Sequence, residues 1–199
     1  MNLQKIAMGL GLSIALVACS KDEETIVVPV SAITVKDLAA DTVTGLGLDG
    51  RPQSALTTTY YSLVDNKAIA STDAASTKWD IAFSSTKILI NGGTSGPGIG
   101  GAFVHIGSFD TFTSIPADSI FKTDNANAAS YAIPLGSGKA WYTYDGLTTL
   151  VSPIAGRVLV IRTATGKYAK IEIISYYKGG VTLPATASVN DKLFKQRYY

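Results

Sequence analysis

The feature that most constrains this chain is a pair of β-rich runs towards its C-terminal end. Arg157-Val158-Leu159-Val160-Ile161-Arg162 is followed, after Thr163-Ala164-Thr165-Gly166-Lys167, by Tyr168-Ala169-Lys170-Ile171-Glu172-Ile173-Ile174-Ser175-Tyr176-Tyr177. Branched and aromatic side chains pack well on a pleated surface, and a short connection containing Gly closes two such runs into an antiparallel hairpin. In the second run Lys170, Glu172 and Ile174 alternate with Ile171, Ile173 and Ser175, which predicts a half-solvated strand with one apolar face. The rest of the chain agrees. Glu, a good helix former, stands only at 23, 24 and 172, while Thr, Val, Ile and Tyr are abundant. Further strands are expected at 32–35, 59–63, 79–83, 88–90, 102–106, 140–144 and 194–199. Short helical turns are expected at 35–40 and at 116–121, where Pro116 would take the first helical position. The expected fold is therefore mainly β and antiparallel, as two packed sheets or one bent sheet, with few short helices. The last run stops at Tyr199 without a turn or a polar tail, which predicts that the natural chain, or that of its relatives, continues a little further.

At the other end, Lys5 precedes an apolar run over 6–17, long enough for the core of a signal peptide and too short to cross a bilayer core of about 30 Å as a helix. The run ends in Leu16-Val17-Ala18-Cys19, which resembles the lipobox of bacterial lipoproteins, so Cys19 is the expected acylation site. Ser20-Lys21-Asp22-Glu23-Glu24 follows and resembles the tract that sends Bacteroidetes lipoproteins to the outer leaflet. The expected organisation is a lipoprotein signal peptide over 1–18, a lipidated tether over 19–30 and one β domain over 31–199. The expected location is the outer membrane, reached through the lipid anchor and facing the cell surface.

Few side chains are available for chemistry. Lys and Arg number 17 against 15 Asp and Glu, a net charge of +2 with no basic block, so no nucleic-acid partner is expected. There is one His (His105), one Cys (Cys19), and two Met at positions 1 and 8, inside the expected signal peptide. A zinc site needs three or four N, S or O ligands, and no metal ion is expected. The glycine-rich stretch over 91–101 lacks the Gly-Lys-Ser/Thr of a phosphate-binding loop and reads as a structural turn or bulge. His105 shares a strand face with Phe103, opposite Ala102, Val104 and Ile106. No Gly-x-Ser-x-Gly elbow exists to pair with it, so it reads as a structural or exposed His. Asp118, Asp124 and Asp145 lie in polar stretches, where Asp commonly makes turns and caps. The chain is expected not to be an enzyme. Trp79 opens a β-rich run and is expected in the core. On the run 140–144, Trp141 and Thr143 should share one face and Tyr142 and Tyr144 the other. That tyrosine row is either core or sheet surface, or the lining of a cleft for a flat ligand.

Several blocks together resemble the HmuY family. They are Trp79-Asp80-Ile81-Ala82-Phe83, Ile88-Leu89-Ile90-Asn91-Gly92-Gly93, the loop over 96–102, Gly156-Arg157-Val158-Leu159-Val160-Ile161-Arg162, Tyr168-Ala169-Lys170-Ile171, and Ser175-Tyr176-Tyr177. The resemblance implies a β fold that grips haem in a cleft and delivers it to a TonB-dependent outer-membrane receptor. Haem-binding members supply two axial His or Met side chains. One would fall in the stretch over 123–139, which holds neither residue, and the other at Asp145. Tyr is an acceptable ligand for ferric haem, so the candidate axial donors are Tyr144 and, after it, Tyr142 and Tyr131. Haem is thus a possible cofactor. The alternative is a surface lipoprotein that uses the same fold to hold another ligand, a glycan or a protein, because fold does not fix function.

Overall fold

The computed structural model describes residues 32–48, 52–148 and 150–180. Eleven strands follow in chain order among them: β1 Val43–Leu46, β2 Pro52–Ser54, β3 Thr59–Ser62, β4 Lys67–Ile69, β5 Ile81–Ser84, β6 Lys87–Ile90, β7 Gly101–Ile106, β8 Tyr142–Tyr144, β9 Val151–Pro153, β10 Arg157–Arg162 and β11 Tyr168–Glu172. Three single 3-10 turns, at Ser71–Asp73, Ala128–Ser130 and Lys178–Gly180, are the only helical elements of the described residues. All pairings between these strands are antiparallel, as expected. One sheet has the order β4-β3-β5-β6, a second has β11-β10-β7, and β1-β2 and β8-β9 are separate hairpins.

The two larger sheets contribute to one core. Ile81 pairs with Ile90 and Phe83 with Ile88, and all four are buried. From the second sheet, Leu159 and Ile161 point into the same cluster with Ala102, joined by Trp141, Tyr142, Tyr176 and Tyr177. Each such aliphatic side chain contributes about 1.5–3 kcal/mol when fully removed from water.

The opposite face of the second sheet is covered as well. Register places His105 beside Val158 and Phe103 beside Val160, with Glu172 and Lys170 beyond them on β11. The stretch 107–124 lies over this face. Lys170 Nζ donates to the carbonyls of Phe109 and Phe112, the latter at 2.9 Å, and sits 4.3 Å from the Phe109 ring centre. Phe112 stacks on His105 at 4.4 Å, and Phe121 packs between Phe103 at 5.1 Å and Tyr168 at 5.5 Å. Val158 and Val160 are buried beneath. The charged face of β11 is therefore not the solvated surface its alternation predicts. Lys170 lies along apolar surface and uses its ammonium to hold backbone carbonyls.

Three buried polar side chains fix the loops between strands. Asp80 accepts from the backbone N–H of Leu63 at 2.8 Å and of Ala164 at 2.9 Å. Asn91 donates to the carbonyls of Ser76 at 2.9 Å and Trp79 at 2.8 Å, and accepts from the Gly98 N–H at 2.9 Å. Asp124 accepts from Ile90 and Ala132 N–H, both at 2.9 Å. Buried polar groups persist only where such partners exist. The glycine-rich stretch is built around this network: Gly93 has φ +66, and a side chain at Gly96 would run into the Asn91 amide. The structural reading of that stretch holds.

Several local expectations differ from what is observed. Residues 32–35 form no strand, and 35–40 form no helical turn because Asp37 takes a left-handed φ of 56 and accepts the Gly179 N–H at 2.7 Å. Pro116 starts a single turn, closed by Ser119 N–H to the Pro116 carbonyl at 3.0 Å, and no helix follows. The second run of the C-terminal hairpin leaves the sheet after Glu172, since Tyr176 and Tyr177 turn into the core. Asp124 is not an exposed turn residue but one of the buried acceptors. The signal peptide, Cys19, the tether and the run 194–199 lie outside the described residues.

Candidate functional site

The stretch 123–139 and the β8-β9 hairpin meet, and this is where the candidate ligand groups fall. Asp124 pins the start of the stretch; Asn125 and Asn127 cap the turns after it by accepting the N–H groups of Asn127 at 2.9 Å and Ala129 at 3.0 Å. Tyr131 comes next and is half-buried, and Ala132 and Ile133 then enter the core. Gly136 has φ 129, and the chain turns there so that Gly138 N–H donates to the Tyr142 carbonyl at 2.8 Å and the Tyr144 N–H donates to Ser137 Oγ at 2.8 Å. The loop is thereby fastened along β8.

β8 does not alternate as a half-buried strand would. Trp141 and Tyr142 are both buried, their rings 4.8 Å apart, and the Trp141 indole donates to the Thr86 carbonyl at 3.2 Å. Thr143 and Tyr144 are exposed. Trp141 precedes the strand at a bend, so its expected pairing with Thr143 on one face is corrected; Tyr142 and Tyr144 keep the alternation of β8 and differ in burial because the hairpin runs outward from the core. Depth, not face, sorts these residues. On β9 the Val151 N–H donates to Tyr177 Oη at 2.9 Å, and the base of the hairpin is thus fixed to the core.

At the tip Tyr144 is 50% exposed and Leu147 95%. Tyr144 makes no side-chain hydrogen bond to any described residue. Asp145, at the expected second ligand position, uses both oxygens locally: Oδ1 accepts the Leu147 N–H at 2.9 Å and Oδ2 the Thr148 hydroxyl at 2.7 Å. The Thr148 hydroxyl first, and then the Leu147 N–H, hold its carboxyl below the ordinary value. Asp145 is a turn-former here, as its residue type predicts. His105 belongs to the covered face of the second sheet, against Phe112, on a different strand from these groups.

Of the three candidate tyrosines, β8 carries two: Tyr142 has its ring in the core, and Tyr144 presents its ring to solvent. No group of three or more His, Cys, Asp or Glu that could hold a metal ion occurs among the described residues. With neither His nor Met among them, the side chains of this site do not fit the paired ligation that the family resemblance implies. Ser137 and Leu147 belong to the site and went unrecognised in the sequence. Nothing in a Gly-Ser-Gly turn or an exposed Leu signals which strand it will lie beside.

Residues 55–186 match the family model described as HmuY protein, across β3 to β11, the stretch 123–139 and the β8-β9 hairpin. This chain belongs to the HmuY family. No curated protein matches it. The family assignment agrees with the mainly antiparallel β fold, and it gives the Trp79-Asp80 and Asn91-Gly92-Gly93 blocks a physical meaning in this HmuY-family member: they are the buried network that joins the loops. No helix of the described residues is long and apolar enough to cross a membrane.

Proposed function

We propose that this protein is a lipid-anchored carrier on the cell surface that binds haem or a related porphyrin and passes it to a TonB-dependent outer-membrane receptor, as a binding protein and not an enzyme. Membership of the HmuY family, a haem-binding family, carries this reading. Tyr144 is its single axial donor: a phenol suits ferric iron, and Tyr144 has an exposed ring and an uncommitted hydroxyl on a hairpin whose base is fixed. Apolar and aromatic packing supplies the rest of the affinity. A non-enzymatic role is consistent with the use of Asp80 and Asp124 as acceptors for backbone N–H groups, which leaves neither as a free acid or base.

The test is a haem titration of the chain from Ser20 onward. The expected product is a weak complex with a high-spin ferric spectrum that Tyr144→Phe alters and His105→Ala leaves unchanged. A tight low-spin complex abolished by His105→Ala, or no haem-induced absorbance change at all, overturns the reading. The anchor is tested separately. Cys19→Ala should release the protein from membranes, because acyl chains supply about 0.8 kcal/mol per buried methylene; unchanged fractionation rejects lipidation.

A further inference from the structure

An open concavity of about 530 Å³ lies between the turn after β4 and the glycine-rich stretch, lined by Tyr60, Ala74, Ala75, Gly93, Thr94, Ser95, Gly96 and Pro97. Its walls are fixed by the buried network. Tyr61 enters the core, so its neighbour Tyr60 projects from the other face of β3, where its ring meets Trp79 edge-on at 5.0 Å. The Trp79 indole donates to the Ala74 carbonyl at 2.8 Å and holds one wall. Asn91 and the Thr94 N–H, which donates to the Asp124 carbonyl at 3.0 Å, hold the other. Binding sites for small molecules are commonly preformed in this way; this one is shallow and open to solvent, so it would cover one face of a ligand rather than enclose it.

The lining specifies the ligand class. It contains no charged side chain, and the nearby Lys78 and Asp73 neutralise each other at 2.9 Å. A phosphate, or the carboxylates of a porphyrin, would find no cation here. The hydroxyls of Tyr60, Thr94 and Ser95 make no hydrogen bond to described residues. Thr94 is exposed, and no buried side-chain polar atom of the half-buried Tyr60 and Ser95 lacks a partner, so all three hydroxyls reach solvent. One aromatic ring, three uncommitted hydroxyls and a floor of Gly and Ala make a surface for a ring that is apolar on its faces and hydroxylated at its edge. A proline-rich peptide calls for several aromatic side chains along a groove, and only Tyr60 is present. We propose that this cleft binds a neutral hexose unit of a glycan, independently of any haem at Tyr144.

Saturation-transfer NMR of the full chain in a non-glycosidic detergent, with maltose, lactose and N,N′-diacetylchitobiose as probes, tests this. At least one probe should bind saturably, with Kd on the order of 1 mM, as for one ring in an open cleft. Tyr60→Ala should weaken it at least tenfold. Because Tyr60 also packs on Trp79, Ala75→Trp is the control: Ala75 is exposed, so the new ring fills the cleft without entering the core, and binding should be lost with the melting temperature kept. Failure of all three probes to saturate overturns the proposal. So does binding that survives Ala75→Trp, or a proline-rich peptide that occupies the cleft where the sugars do not.

Discussion

The two hairpins of the C-terminal half, β10-β11 and β8-β9, are both antiparallel and both rich in branched or aromatic residues, yet they differ in depth. On β10, Val158, Leu159, Val160 and Ile161 are all buried, one face by the core and the other by the stretch 107–124. β8-β9 begins equally buried at Trp141 and Tyr142 and ends with Leu147 95% exposed. A strand covered on both faces is committed to the fold. One that is anchored at its base and open at its tip can present side chains without risking the core, which is how rigid scaffolds usually carry function. The glycine-rich stretch shows the same division on the other sheet, with Asn91 buried beneath, Ser95 half-buried and Thr94 exposed above.

The largest effect should come from removing a side chain of the buried framework. Trp79 is fully buried, and Trp79→Ala should cost about 3–5 kcal/mol, a large share of the stability of an ordinary domain. Thermal denaturation checks it; a variant that melts like the wild type would show that the indole is peripheral and that the framework lies elsewhere. Asp80→Ala should follow at about 3 kcal/mol, because it leaves the buried Ala164 N–H and the half-buried Leu63 N–H without acceptors. Asp80→Asn should be destabilising too, since its NH₂ would face a donor. If it is neutral, Asp80 does not tie these loops.

These two residues also mark how far the sequence could be read. The β10-β11 hairpin, β5, β6 and β7 were legible because their apolar runs and alternation are local. β2, β4 and β9 were not: each has three residues, β4 is largely exposed, and β2 and β9 each contain a proline. Trp79 was legible as core from its type and run. The role of Asp80 was not, because its partner Ala164 is 84 positions away, and long-range pairing leaves no periodic trace. At the candidate site the turn-making role of Asp145 was legible from its residue type. The outward course of β8 was invisible, since it depends on where Trp141 packs.

The hairpin comparison itself is sharpest between two residues of one strand. Tyr142→Ala should cost about 2–3 kcal/mol because it empties core space beside Trp141, whereas Tyr144→Ala should change stability by no more than about 0.5 kcal/mol. Equilibrium unfolding in urea measures both. Similar losses would mean that Tyr144 is a packing residue and would remove the reason to assign it a ligand.

The smallest expected effect lies at the tip. Asp145 is exposed, so its contribution to global stability should be slight, but its bonds to Leu147 N–H and the Thr148 hydroxyl should set local order. Those bonds lower its carboxyl from the ordinary value of 3.8, the Thr148 hydroxyl contributing most. A group whose folded value is depressed stabilises above its unfolded value and loses that contribution as pH falls through the folded one. Hydrogen exchange at the Leu147 amide should therefore show protection that is constant above the ordinary carboxylate range and fades below it. Asp145→Ala should abolish this protection at every pH. Asp145→Asn, which keeps one acceptor, should retain part of it without the pH dependence. Wild-type protection in Asp145→Ala would show that the tip is held by the β8-β9 backbone alone, and Tyr144 would then owe its presentation to Ser137 and the Asp145 N–H to Leu150 carbonyl bond rather than to this carboxylate.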